Sequence, residues 1–479
     1  MDNILKLAIS AGLKFLGIYD DINTNDIPTN TFGVFVGVER SEHHKLNMWP
    51  FDIHGCIGYW DPLYHNMDKS NIIDKIKAVA FSAVWEDHRK NYFKYSIYVD
   101  PNSKFKIYFM LNPIMEINSA NGIIANGQKF NNKIYGLIVE DSNGIHSATY
   151  LPQVFPDKSW KFIKQSLIQK ANIKHSHIKF YAYNCQIFSM TIADYFFGPV
   201  QNFFNKYYTN FVPHSIINDK IFINESDTVR NLGTIYDILQ MKSIGYYFDK
   251  QTLDAIIQNV DYYKNKYNDH PDEMRQALPF LLLSIKLINT NDTYIYSITK
   301  YLYEQLILQK KYMQGYDVEN FKPMDMNFEL GEILMALNKI DPTNKITIEA
   351  TNHIPTTDTN ISTGTDIDIF RYNWFSQSAK NIKNKIYKYI LTKKIINFID
   401  TKKYDETNFL AVEFESLATL YSIIGDEPTK MRIEVYLAEL IIKLEQIKNR
   451  YGFYQFKNNE ARIDITGHVL NGLISLLSS

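Results

Sequence analysis

Cysteine is nearly missing from this chain: Cys56 and Cys185 are the only two in 479 residues. Two thiols cannot staple a chain of this length, which excludes a disulfide framework and points to a reducing, cytoplasmic setting. An excess of either charge is also lacking. Lys and Arg total 51 against 52 Asp and Glu, a formal net charge of -1. That balance gives no footprint for nucleic acid and no acidic tail. Long apolar runs are absent too. The longest, Ala277 to Ile285, is broken by Pro279 and falls far short of the roughly 20 residues of a membrane span. The N-terminus lacks a signal-peptide layout, because residues 2–18 mix Ile4, Leu5, Leu7 and Leu13 with Lys6 and Lys14 in an amphipathic pattern. There is no glycine-rich phosphate loop and no Gly-x-Ser-x-Gly elbow. His43, His44, His54 and His65 match no standard zinc spacing, so neither a metal nor a cofactor is expected.

What is present is an ordinary globular composition, 45% hydrophobic and 14% aromatic. At roughly 100–200 residues per domain, this length predicts two or three domains. The texture changes near residue 200. Before it, β-branched and aromatic runs at 31–38, 92–99, 105–111 and 134–140 predict strands, interleaved with helical patterns at 2–18, 70–85 and 159–171. That mixture, without a βαβ rhythm, is α+β. From residue 229 onward, nine segments carry apolar residues at helical spacing, with short connections suited to antiparallel pairs. Gly245, Gly315 and Gly452 each follow such a segment and precede an aromatic residue, as helix stops do. The expected organisation is an α+β domain over 1–197, a linker over 198–228 and an all-α domain over 229–479. A Thr-, Asn- and Asp-rich stretch at 342–369 reads as a long exposed loop within the last.

The segment Asp52-Ile53-His54-Gly55-Cys56-Ile57-Gly58 carries the sharpest chemical signal. In an extended chain, alternation places Asp52, His54 and Cys56 on one face. A carboxylate can orient an imidazole, and an imidazole can take the proton of a thiol. Gly55 and Gly58 open the backbone beside that thiol. The plainer expectation for the same residues is a buried cysteine on a glycine-flanked bend.

His54-Gly55-Cys56-Ile57-Gly58 resembles the signature of the AMME chromosomal region gene 1 protein family, whose core reads Arg-Gly-Cys-Ile-Gly. Four further features fall in the family's order. They are Gly33-Val34-Phe35-Val36, the helix closing on Asp87-His88-Arg89, Tyr135 to Glu140, and Leu151-Pro152-Gln153-Val154 with Trp160 and Phe162 after it. The resemblance implies an intracellular α+β domain with a cleft beside the cysteine. Here His54 replaces the family's arginine, adding a group that can accept a proton. Arg89 would then supply a cation at the cleft and Gln153 an amide.

The helical half resembles an α/α toroid, in which helix hairpins ring a cavity. Enzymes acting on glycans and isoprenoids share that architecture. The stretches Asn231–Thr234, Phe328–Glu332 and Glu413–Ser416 would point at the cavity. Nine helices are fewer than the twelve of a six-hairpin ring, so a partial ring is expected. Glu413 and Glu415, two residues apart, do not face the same way, whereas Asp464 and His468 share a face and read as a packing or capping pair. Three functions follow. The first is a cleft for a small-molecule or peptide ligand, with Cys56, His54 and Asp52 catalytic and Gly55, Gly58, Arg89 and Gln153 binding. The second is a non-catalytic adaptor for a protein partner. The third is glycan processing in the toroid, which clustered acidic side chains inside the ring would favour.

Overall fold

The computed structural model describes residues 2–15, 23–41, 53–87, 94–174, 177–326, 328–357, 368–380, 385–401, 405–457 and 459–477. The chain splits into two compact units. One holds Met1–Ile97 with Asn102–Ile192, the other Tyr98–Pro101 with Ala193–Ser479.

The first unit runs α1 (Asp2–Gly12), β1 (Thr31–Glu39), β2 (Ile53–Trp60), α2 (Lys69–Trp85), β3 (Lys104–Asn118), β4 (Ile123–Ile124), β5 (Tyr135–Asp141), β6 (Ser147–Tyr150), α3 (Trp160–Lys170) and β7 (Ile178–Thr191). The strands form one antiparallel sheet in the order β2-β1-β3-β7-β5-β6, with β4 beside β3. Alternation decides which face is covered. Val34, Val36 and Val38 of β1 and Phe105, Ile107 and Phe109 of β3 are fully buried, and α1 and α2 pack on these strands. At the other end, Ile163 and Leu167 of α3 join Leu137, Val139, Phe180 and Ala182 in a second core. Ser159 caps α3 through the Phe162 amide. The expected strand at 92–99 is corrected: Lys94–Val99 form a 3-10 helix. Ser96, Ile97, Tyr98 and Val99 are buried in succession, which an alternating strand cannot achieve, and tertiary burial overrides their β propensity.

The second unit contains twelve α-helices among the described residues. They are α4 (Ile192–Tyr207), α5 (Thr228–Ser243), α6 (Lys250–Asp269), α7 (Leu278–Ile288), α8 (Thr293–Met313), α9 (Glu329–Ile340), α10 (Lys345–Thr357), α11 (Asp368–Ala379), α12 (Lys385–Thr401), α13 (Thr407–Tyr421), α14 (Glu427–Glu445) and α15 (Ile463–Leu477). Helices α5, α7, α9, α11, α13 and α15 pack each on the next, and α15 packs back on α5. The ring is closed, so the unit is a six-hairpin α/α toroid. The sequence explains who sits inside. From Leu410 to Tyr421, every residue of α13 is buried, because its apolar residues go all the way round. α8 instead leaves Tyr296, Tyr312 and Met313 exposed. Gly245, Gly315 and Gly452 have φ of 106°, 81° and 90°, the left-handed helix stop expected of them.

Three expectations change here. The partial ring of nine helices is complete. The linker over 198–228 is part of the second unit: it carries most of α4 and the hairpin β8 (Ser215–Ile217) and β9 (Lys220–Phe222). That hairpin pairs with β11 (Glu460–Arg462), itself paired with β10 (Gln455–Lys457). The loop over 342–369 contains α10. Asn344 accepts from the Ile346 amide at 2.9 Å to start it, and Thr347 and Thr351 are fully buried. Thr351 Oγ1 donates to the Thr347 carbonyl at 2.6 Å. Buried threonines satisfying themselves on their own helix look, in composition, like a solvated loop. Residues 358–367 of that stretch lie outside the described residues.

Candidate functional site

In the first unit, β2 carries the motif. Its register on β1 pairs Cys56 with Gly37, Gly55 with Val38 and Ile53 with Glu39, leaving His54 in a bulge. A bulge breaks the alternation that would set His54 and Cys56 on one face. His54 is buried and Cys56 is half-buried. The Cys56 amide donates to Asp87 Oδ2 at 2.8 Å, so Asp87 anchors the strand to the end of α2. A Cβ on Gly55 would lie 1.7 Å from the Ala83 carbonyl oxygen, and one on Gly58 would lie 2.1 Å from the Phe35 ring. Both glycines are required by packing, Gly55 under α2 and Gly58 beside the Phe35–Trp60 stack. Asp52 and Arg89 lie outside the described residues. Gln153 is exposed, at φ 68°, in the turn after β6. β6 and β2 are opposite edges of the sheet, so the register does not join Gln153 to Cys56. On β7, burial pushes the Cys185 thiol up.

The ring of the second unit encloses two adjoining spaces, of about 520 Å³ and about 260 Å³. Phe280, Trp374 and Asn471 line both. The inner helices run in parallel through them. Asp227, Gly233 and Asp237 of α5 and its cap line the wide space, and Gln240 the narrow one. Phe328 and Glu332 give way to Met335 and Lys339 along α9, and Asp464 and His468 to Ile474 along α15. The ring therefore has a mouth at its inner helices' N-terminal ends and a floor towards their C-terminal ends.

Acidic groups cluster at the mouth, and their surroundings drive them apart. Asp237 is pushed up to about 8, chiefly by burial and further by Glu415, against the opposing bond from Asn471. Asn471 Nδ2 donates to its Oδ1 at 2.9 Å. Its Oδ2 occupies the place of a missing side chain, since a Cβ on Gly467 would lie 2.0 Å from it. Burial, then Glu329 and Asp325, hold Glu332 well above the usual carboxyl range. Glu332 is 2% exposed and its Oε2 has no hydrogen-bond partner among the described residues; the same holds for Trp374 Nε1 and Asn408 Oδ1. Asp464 goes the other way. Burial acts against it, but Arg462 and Arg230 hold it below the usual range, Arg462 Nε bonding its Oδ1 at 3.0 Å and Arg230 Nε approaching Oδ2 at 3.2 Å.

His468 Nδ1 lies 2.7 Å from Glu415 Oε2. Burial would lower its pKa, but this bond and the neighbouring carboxyls Asp464 and Asp237 raise it. Glu415 is saturated: Asn373 donates to Oε2 at 2.8 Å and Gln377 to Oε1 at 3.1 Å. Aromatic faces complete the wall. Phe280 meets Trp374 edge-on at 5.8 Å, and Phe370 packs on Phe328 at 5.2 Å and Phe409 at 5.8 Å. One acid kept protonated, one carboxylate kept ionised and an imidazole aligned by a carboxylate can together move protons at a bound ligand.

The reading of the helical half holds in part. Glu415 and His468 meet, whereas Glu413 lines neither space and is raised to about 7 by burial. Asp464 and His468 share the cleft, but Asp464 pairs with arginines, which corrects the packing-pair expectation. Phe328 and Glu332 line the wide space, as their stretch was expected to. Asp237, Trp374, Lys339 and Lys380 were not foreseen, and for the charged ones the local mark is a polar residue set within or at the end of an otherwise buried helix.

Residues 8–192 match the AMMECR1 family model. Among solved structures, an uncharacterised protein from Pyrococcus horikoshii is 20% identical, over 39% of this chain and 89% of that one, with a TM-score of 0.27. An unsaturated glucuronyl hydrolase from Bacillus sp. GL1, responsible for the degradation of glycosaminoglycan, is 12% identical over 58% of this chain and 94% of that one, with a TM-score of 0.44. An unsaturated glucuronyl hydrolase specific for heparin shares the same identity and coverages at a TM-score of 0.40. No curated protein matches the chain. The chain thus joins an AMMECR1 domain, matched over residues 8–192, to a closed α/α toroid.

Proposed function

We propose that the ring cavity binds a carbohydrate and cleaves it by acid–base chemistry, with Asp237 as proton donor. The observation that carries this reading is a carboxyl on the cavity wall that burial holds protonated up to about pH 8, in a space faced with aromatic rings. A protonated carboxyl is the group a glycosidic oxygen needs as it leaves. Asp237 gives that oxygen its proton, the bond from the sugar carbon breaks, and a water completes the carbon. The water's proton goes to Asp464, the carboxylate that Arg462 and Arg230 keep ionised, while His468 stays bound to Glu415. Trp374, Phe280 and Phe370 offer flat apolar faces to sugar rings, and Glu332 and Asn408 offer hydroxyl partners.

Trp374 makes the binding step visible. Titration with neutral oligosaccharides is expected to change the intrinsic tryptophan emission saturably, and Trp374→Phe is expected to remove most of that change. Emission that no saccharide alters, or a change that survives in the variant, counts against the ring as the binding site.

A second reading, a ligand cleft at Cys56, is supported by one observation. The thiol is half-buried rather than sealed, on a strand whose amide is held by Asp87. Alkylation by iodoacetamide near pH 7 is expected to be faster at Cys56 than at Cys185. A Cys56 rate no greater than that of an ordinary thiol of pKa about 8.5 removes the case for a nucleophile.

A further inference from the structure

Glu332 is a buried acid on the wall of the wide space with an unmet oxygen. It sits in the first turn of α9, lines the space of about 520 Å³ and is 2% exposed, and its Oε2 accepts no hydrogen bond among the described residues. A carboxyl oxygen buried without a donor is costly and rare. The two arginines of the same wall are matched already. Arg230 bonds Asp227 at 2.7 Å and Asp464 at 3.2 Å, and Arg462 bonds Asp464 at 3.0 Å. The charged groups that act on Glu332, those of Glu329 and Asp325, are both acidic, and Arg275 Nη2 is taken up by Glu329 at 2.6 Å. Aromatic rings stand beside the acid. Phe328 caps the start of α9, and a Cβ on Gly331 would lie 2.5 Å from Trp374 Cβ, so Trp374 packs on α9 one residue before Glu332. Phe280 meets the Trp374 ring edge-on.

We propose that Glu332 sets the specificity of the wide space by receiving the ammonium of an amino sugar against the rings of Phe328, Trp374 and Phe280. This rests on the reading of the ring as a carbohydrate site and names the substrate class: a sugar with a free amine in place of one hydroxyl. Ring faces attract a cation, a charge-assisted bond to a carboxylate is the strong kind, and the N-terminus of α9 favours the ionised acid. An amine that enters as ammonium leaves the carboxyl ionised and sends the acid's proton to solvent; one that enters as free base takes that proton itself, and the bound pair is the same. A hydroxyl would also reach Oε2, but it would bring no positive charge to a spot whose charged neighbours are acids.

Calorimetric titration of the full chain at pH 7 separates the two. Oligomers of β-1,4-linked glucosamine are expected to bind about 10-fold or more tightly than the matching oligomers of glucose or of N-acetylglucosamine, and Glu332→Gln is expected to remove that preference. Cyclohexylamine is likewise expected to bind more tightly than cyclohexanol. Should Glu332→Gln fail to fold, Glu332→Asp, which withdraws the acid by one methylene, is expected to narrow the preference. Equal binding of the three oligomers, or a preference that survives in both variants, overturns the amine site and leaves the carbohydrate reading standing. Cyclohexylamine bound in a Glu332-dependent way, with no oligomer bound, would keep the amine site and remove the carbohydrate reading. Binding of neither amine nor oligomer overturns both.

Discussion

Asp237→Asn is expected to lower kcat for saccharide cleavage by about 10²–10⁴-fold, the usual contribution of a positioned proton donor, while saccharide binding is kept. It is also expected to make the protein more stable above about pH 5. The two effects have one cause. In the folded chain the carboxyl keeps its proton up to about pH 8, while in the unfolded chain it releases it near the ordinary value of about 3.9. Between those values the unfolded state binds fewer protons, so stability falls as pH rises, by up to about 1.4 kcal/mol per pH unit. This contribution is fully present below about pH 4 and gone above about pH 8. Asparagine keeps the bond from Asn471 in shape and removes the titration, so that slope should disappear from the dependence of Tm on pH. A residue with a purely structural role would show the opposite pairing, lower stability and unchanged kcat. The wild-type rate is expected to fall as pH rises through about 8, because only protonated Asp237 can donate.

Gly55→Ala is expected to destabilise the first unit by about 3 kcal/mol or more, at the upper end of overpacking effects. The added carbon would lie 1.7 Å from the Ala83 carbonyl oxygen. That atom belongs to helix backbone and cannot swing aside as a side chain could, so α2 must lift from β2. Calorimetric unfolding should show the loss directly, and a shift in Tm below about 2 °C would mean that the helix moves freely. Gly58→Ala meets only the Phe35 ring, which can rotate, and is expected to cost less.

How far the sequence was readable depends on whether a signal was local. β1 was visible because residues 31–38 are a continuous run of β-branched and aromatic side chains interrupted only by Gly33 and Gly37. β7, between β3 and β5, was not foreseen, because Asn184, Gln186 and Ser189 interrupt its apolar rhythm. α10 was hidden by threonines that satisfy their hydroxyls on their own helix. The hairpin at 215–222 was hidden because its pairing partner lies some 240 positions further along.

The sites divide in the same way. His54, Gly55 and Cys56 are adjacent in sequence, so the motif was found, but the bulge that separates His54 from the ladder has no sequence mark. The ring site is assembled from six helices, a few residues from each. Asp237 in Thr-Ile-Tyr-Asp-Ile-Leu and Glu415 in Val-Glu-Phe-Glu-Ser-Leu stand within runs that are otherwise buried. A polar residue where a helix is buried all round is the one local sign available. It identifies a buried acid without telling which partner it meets.

The ring as the working site is tested most directly by a crystal structure of the Asp237→Asn variant soaked with an oligosaccharide that the wild type cleaves. The account requires sugar density inside the ring, with a glycosidic oxygen within hydrogen-bond reach of position 237 and a sugar face on Trp374. An empty ring with saccharide bound elsewhere on the chain would contradict it.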